Sequence, residues 1–257
     1  MKPYHLNCGH REIGRYCILP GDPGRSVKIA AHFEKTQEVS VNREFVTYTG
    51  YLMDEKVTVT STGIGGPSAA IAMEELAACG VHTFIRVGTC GGMQMEVKSG
   101  DCIIATGAVR QDGTSREYAP VSFPAVSDLQ VTNALWDACG NLGYNRHSGV
   151  VHSKDSFYGQ HSPERMPISE ELIRNWNVLK RLGVLASEME AATLFTVAAS
   201  LNVRCGCVLH TIWNQERKAA GLLEADDMDT EKSIKVAVEA IKLVIERDRG
   251  EYKDTEA

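Results

Sequence analysis

Apolar and polar residues follow two rhythms along this chain. Short apolar runs, bounded by glycine, proline or charge, read as strands; between them, apolar residues recur three and four apart, as on one side of a helix. The pattern predicts strands over 16–19, 41–49, 51–60, 83–87, 102–109, 149–152 and 205–212. It predicts helices over 23–33, 67–79, 128–142, 170–182 and 188–201, and a last one capped by Asp229 that carries Ile234, Val238, Ile241 and Ile245. The pair 41–49 and 51–60 reads as a hairpin, turning near Gly50 or at 53–56. Residues 122–126 read as loop, 155–167 as a long polar irregular segment, and 215–228 as polar and mobile. Strand, glycine-rich turn, helix, strand is the succession of an α/β sheet. No linker-like shift, repeat or low-complexity block divides the chain. Residues 1–257 therefore read as one domain, with a polar tail at about 250–257.

Composition narrows the function classes. The 257 residues are 43% hydrophobic and 23% charged, enough for a sizeable core. A net charge of −6 gives no basis for a nucleic-acid or acidic-membrane partner, though a few local arginines can hold a small anion. No apolar run reaches the length of a membrane span, and residues 1–10 lack the apolar core of a leader. The eight cysteines are scattered without a C-x-x-C pair, so they read as buried free thiols in a reducing compartment, the cytoplasm.

Several polar residues break apolar surroundings. Arg86 interrupts a strand just before Gly88-Thr89-Cys90-Gly91-Gly92. Either it pairs with a buried carboxylate, or it joins Thr89 and bare loop amides in binding an anion. Gly21 and Arg25 stand at a strand-to-helix turn, where free amides favour an anion; a plain capped helix reads equally well. Glu188 and Glu190 flank Met189 at the start of an apolar helix. They could cap that helix, or one could accept both hydroxyls of a vicinal diol such as ribose. A G-x-S-x-G elbow, a P-loop and an H-E-x-x-H pair are all missing, which removes support for three common enzyme classes.

Taken together, the motifs resemble a known family. The segment Ser61-Thr62-Gly63-Ile64-Gly65-Gly66-Pro67-Ser68, with the helix after it, is similar to the signature of the hexameric nucleoside phosphorylases. Leu19-Pro20-Gly21-Asp22-Pro23, Asn42-Arg43-Glu44-Phe45, Arg86-Val87-Gly88-Thr89, Phe123-Pro124-Ala125-Val126 and Glu188-Met189-Glu190 occur around it in the family's order. Tyr118-Ala119-Pro120 and Asp155-Ser156-Phe157-Tyr158 bring the resemblance nearest to the uridine-cleaving members.

The resemblance implies a three-layer α/β/α sandwich around a mixed, partly barrel-like sheet. It implies reversible phosphorolysis of uridine, or also of deoxyuridine or thymidine, to free base and the sugar 1-phosphate. It assigns phosphate to Gly21, Arg25, Arg86 and Thr89, with Arg43 delivered by a neighbouring subunit. It assigns ribose to Thr89, Met189 and Glu190, with His5 lent by the neighbour, and the reacting centre to Arg86, Thr89 and Glu190. Phe157, Gln160 and Arg165 are its base-binding candidates, although Gln160 and Arg165 stand five apart where the family's pair stands two apart. Asn214 occupies the place of the aspartate that protonates the base in purine-specific relatives, and an amide cannot be that acid. Gln215 follows where uridine-cleaving relatives carry arginine, and arginine comes only at Arg217. Trp213 fills the base pocket or packs. The resemblance further implies a homohexamer built of dimers that share active sites. It requires no cofactor besides phosphate as co-substrate, and allows a potassium ion at Glu44, Ile64 and Ser68. The alternatives are a purine nucleoside phosphorylase, a nucleosidase using water, and a non-catalytic nucleoside-binding protein.

Overall fold

The computed structural model describes residues 2–222 and 224–255. The apolar run Tyr16–Pro20 forms β1. Asp22 follows and accepts the Gly24 amide at 2.9 Å, which with Pro23 in the first turn opens α1, Pro23–Ala30. A meander comes next: β2 (Glu34–Asn42), β3 (Phe45–Leu52) and β4 (Glu55–Thr60). The expected turn at 53–56 is present, with Met53 and Asp54 both at positive φ. The rest of the hairpin expectation needs correction. The first turn falls at Arg43, also at positive φ, and Gly50 pairs with Val57 inside a strand. Gly50 is glycine because a Cβ there would come within 2.6 Å of Phe33 Cβ and 2.8 Å of Glu34 O.

Helix α2 (Gly66–Ala78) leads to β5 (Thr83–Gly92), the strand that carries Arg86. Then come β6 (Cys102–Gln111), α3 (Thr114–Tyr118), β7 (Ala125–Val126), α4 (Leu129–Asn141) and β8 (Arg146–Lys154). The segment expected to be irregular folds into α5 (Phe157–His161) and a single 3-10 turn, Pro163–Arg165. Ser156 caps α5 by accepting the Gly159 amide at 2.9 Å. After α6 (Ser169–Arg181), residues Ala186–Glu188 form β9, so α7 begins only at Ala191 and ends at Leu201. The chain closes with β10 (Arg204–Asn214), α8 (Gln215–Ala219) and α9 (Glu231–Thr255). Asp229 accepts the Glu231 amide at 3.0 Å, which is the cap expected there. The polar stretch after Gly250 continues α9 through Thr255; 256 and 257, also assigned to the tail, lie outside the described residues.

The strands join in one mixed sheet in the order β10-β6-β8-β9-β5-β1-β4-β3-β2. Because β5 also pairs with β10, the five strands β10, β6, β8, β9 and β5 close into a barrel. Alternation along each strand sends side chains to two opposite cores. Leu19, Phe84, Ile103 and Leu209 pack with α2 and α7; Ile18, Ile85, Ile104 and Val208 pack with α1, α4 and α9. This is the α/β/α arrangement with a barrel-like part. Its eight cysteines are all free and buried. No helix of the described residues is long and apolar enough to cross a membrane.

Candidate functional site

The C-terminal ends of β1, β5, β8, β9 and β10 converge on one cavity of about 710 Å³. Strand ends of this kind are where α/β sheets leave backbone and loops free for ligands. Gly21 and Arg25 line it from the β1–α1 turn, Arg86 and Thr89 from β5, Met189 and Glu190 from the β9–α7 junction, and Phe157 from α5. These residues lie far apart in sequence, and the topology gathers them.

Arg86 is the centre of the charge arrangement. Its side chain is buried, and both nearby acids hold it. Nε donates to Glu188 Oε2 at 3.1 Å, Nη2 lies 3.0 Å from the same oxygen, and Nη2 lies 2.5 Å from Glu190 Oε2. Burial works against the guanidinium charge, but Glu190 and Glu188 outweigh it and raise its pKa above the usual arginine value. Gly88 makes room for this group: a Cβ there would lie 2.7 Å from Arg86 Nη2. Both alternatives for Arg86 are therefore partly realised. It is paired with carboxylates, and it also faces the cavity.

The two acids have separate tasks. Glu188 Oε2 accepts the amides of Glu190 and Ala191 at 2.8 and 2.9 Å, and Oε1 accepts the Ser153 hydroxyl. It caps α7 and anchors Arg86, using up its acceptor sites inside the protein. Both acids line the cavity, but the Glu188 side chain is fully buried while Glu190 keeps slight exposure, with Oε1 accepting the Gly65 amide at 2.6 Å. Burial pushes its carboxyl above the ordinary range against the pull of Arg86, and Glu188 adds to the rise.

Arg25 is half-buried and uses one donor on Val87 O at 3.2 Å. Burial lowers its pKa, and the like charge of Arg86 adds to this. It forms no ion pair among the described residues, so two guanidinium groups face one cavity with donors to spare on Arg25. An anion there would relieve their repulsion and gain bidentate hydrogen bonds.

Four of the residues expected to bind phosphate, ribose or base do not line this cavity, Gln160 among them. Arg43 is exposed at the β2–β3 turn. His5 Nδ1 pairs with Glu75 Oε1 at 2.7 Å, and the His5 carbonyl accepts Asn42 Nδ2 at 2.7 Å. His5 therefore sits against the residue next to Arg43, and neither lines this chain's own cavity. Arg165 is exposed too, with its guanidinium 5.1 Å from the centre of the Tyr158 ring.

Gln160 lines a second cavity of about 430 Å³ between β8, α5, α6 and α8. Its Nε2 donates to Gln215 Oε1 at 3.4 Å, while its Oε1 is buried with no partner among the described residues. Trp213 lines the larger cavity, its ring 5.3 Å from that of His161. Asn214 is fully committed: Nδ2 donates to the Gln94 and Val97 carbonyls, each at 2.8 Å, and Oδ1 accepts the Glu216 and Arg217 amides at 2.9 and 3.1 Å. Arg217 turns away, tied to Met95 O at 2.5 Å and to Glu224. Glu44 and Ser68 meet through a 2.9 Å hydrogen bond, and Ile64 lies 78% exposed on the loop before α2.

Sequence reasoning passed over Lys154, Ser187 and His161, which also line the larger cavity. Lys154 carried a usable signal, the same one as Arg86: a charge at the end of an apolar strand. Ser187 and His161 carried none, because a small polar residue and an isolated histidine are unremarkable on a strand or short helix.

Residues 15–247 match the family model described as the Phosphorylase superfamily. The chain belongs to that superfamily. A uridine phosphorylase of Treponema pallidum is 54% identical over 245 residues, covering 95% of each chain. A uridine phosphorylase of Thermococcus kodakarensis is 43% identical over 247 residues, covering 95% of this chain and 87% of its own. A guanosine phosphorylase of Halorubrum lacusprofundi is 36% identical over 244 residues, covering 95% of this chain and 97% of its own. The superfamily thus includes relatives named for a pyrimidine and for a purine nucleoside, all matching nearly the whole chain.

Proposed function

We propose that this chain is an enzyme that catalyses the reversible phosphorolysis of uridine to uracil and ribose 1-phosphate. The observation that carries the reading is the single cavity that gathers Arg25, Arg86 and Thr89 beside Met189 and the carboxylate of Glu190. Relatives named uridine phosphorylase at 54% and 43% identity support the choice of base. Asn214 supports it as well, since its hydrogen bonds are all spent within the protein and it offers no acid to a purine.

In this reading Gly21, Arg25, Arg86 and Thr89 bind phosphate, and Arg43 arrives from the neighbouring subunit. Glu190 accepts the ribose 2′ and 3′ hydroxyls while Met189 packs on the sugar, and the neighbour's copy of His5 meets the 5′ hydroxyl. Phe157 stacks on the base, and the unpartnered Gln160 Oε1 accepts a ring N–H. Arg165 joins them when the segment carrying the 3-10 turn closes. Phosphate attacks the anomeric carbon as the glycosidic bond breaks, and the base leaves with the bonding electrons. The sugar passes through an oxocarbenium-like state, stabilised by the phosphate charge and by Glu190. No protein nucleophile is needed, so catalysis rests on positioning and fixed charge. Glu188 contributes by holding Arg86 in place before substrate arrives.

The adjacency of His5 and Arg43 supports dimers that exchange these residues, assembled as a hexamer in the cytoplasm, with the chain acting as one domain. Oxygen donors at Glu44, Ile64 and Ser68 suit a potassium ion between subunits, the neighbour supplying the remaining oxygens. No cofactor is required. The test is release of uracil from uridine with and without phosphate: turnover must need phosphate, and equal turnover without it would leave a water-using nucleosidase instead.

A further inference from the structure

Lys154 is the point where the two cavities meet. Among the described residues it alone lines both the cavity of about 710 Å³ and the cavity of about 430 Å³. It ends β8 and is 7% exposed. Its Nζ donates to Ser187 Oγ at 2.9 Å and to Glu188 O at 3.4 Å, and it forms no ion pair among the described residues. An ammonium has three donors, so one remains for a ligand. Glu188 and Glu190 favour its charge from beyond ion-pair distance, so the buried ammonium still gains where an anion meets its remaining donor.

Among the arginines and lysines that line the two cavities, Lys154 is the one at the seam. Arg86 is committed to Glu188 and Glu190, and Arg25 stands at the β1–α1 end of the cavity. Arg217 is tied to Met95 and Glu224, and Arg165 lies over Tyr158. The other side chains lining the two cavities include Phe157, Gln160, Gln215, two histidines and the carboxylates of Glu188, Glu190 and Asp155. Burial, then the charge of Lys154, pushes His152 down to about 3 and lowers His161, so neither carries charge at neutral pH. Burial also lowers Lys154, to about 8, against the opposing pull of Glu188 and Glu190, which leaves it cationic at pH 7.

Breaking the glycosidic bond sends its electron pair into the base, where the charge spreads onto the carbonyl oxygens. We propose that Lys154 Nζ donates a hydrogen bond to a carbonyl oxygen of the departing base and stabilises it as an anion. The base then takes its proton from solvent after release, and the lysine stays charged throughout. This rests on the phosphorolysis reading and identifies the group that serves its leaving base.

The experiment compares Lys154→Met and Lys154→Gln with wild type on two nucleosides. With uridine, kcat/KM falls about 100-fold, as for loss of a preorganised donor to developing charge. With 5-fluorouridine, whose base is a more stable anion, the loss is about tenfold, because less stabilisation is demanded of the protein. The phosphate KM stays unchanged. An equal loss on both nucleosides, or a loss carried by the phosphate KM, overturns the role of Lys154. If neither variant folds, wild type decides: 5-nitrouracil, an anion at neutral pH, must bind at least about tenfold more tightly than uracil, and equal binding overturns the proposal. Failure of wild type to cleave uridine with phosphate would remove the function itself; unselective variants of an active wild type would remove only this role.

Discussion

Glu188 holds Arg86 through a single oxygen, Oε2, which receives Nε at 3.1 Å and Nη2 at 3.0 Å. The same oxygen accepts the first amides of α7. One carboxylate therefore fixes both Arg86 and the helix that presents Glu190. Arg86→Ala is expected to cost about 3 kcal/mol in the transition state, or about two decades in kcat/KM. Glu188→Gln leaves a buried guanidinium short of charge and is expected to cost about 3 kcal/mol of folding stability. Phosphorolysis rates and denaturant midpoints read the two effects; a near-wild-type rate for Arg86→Ala would refute the assignment.

The raised Glu190 carboxyl sets the acid side of the pH profile. Its folded pKa lies above the ordinary 4.5, so just above that pH the folded chain keeps a proton that the unfolded chain has released. Its contribution to stability is therefore greatest below 4.5 and is lost as pH rises through the raised folded value. Activity is expected to run the other way, because in the proposed mechanism the ionised form accepts two ribose hydroxyls. The acid limb of kcat/KM for uridine should have its midpoint above 4.5. A midpoint at or below that value contradicts the role given to Glu190.

Gln160 and Arg165 should act on the nucleoside alone. Gln160→Ala removes the acceptor whose Oε1 is buried and unpartnered, and is expected to raise the uridine KM about tenfold. Arg165→Ala should move the same parameter in the same direction once the segment closes. Initial-rate kinetics with each substrate varied separates the cases. If either change moves only the phosphate KM, the base-site reading is wrong.

The proposed sharing of sites between subunits makes a prediction about mixtures. Arg43→Ala and Arg86→Ala should each be nearly inactive alone. A dimer holding one of each rebuilds one intact site, so random mixing by co-expression should recover about a quarter of wild-type activity. No recovery would mean that Arg43 serves its own chain or no site.

Much of this was legible in the residues, for identifiable reasons. Arg86 stood out because a charge inside an apolar strand has few uses. Strands β5, β6 and β10 were visible because they are buried on both faces and so read as continuous apolar runs. β2 was invisible because most of its positions are exposed and its composition is polar. The acids at the start of α7 read as alternatives, and only three dimensions show that both line the cavity and that Glu188 is the one that caps the helix. The base site was least legible. Gln160 and Arg165 are close in sequence, yet the 3-10 turn at Pro163–Arg165 separates a buried amide from an exposed guanidinium.

The most direct test of the whole account is an assay of purified protein with uridine, with phosphate present or omitted, following both uracil and ribose 1-phosphate. The account predicts equal amounts of the two products when phosphate is present and no uracil when it is omitted. Uracil released at the same rate without phosphate, with free ribose in place of the 1-phosphate, would contradict it.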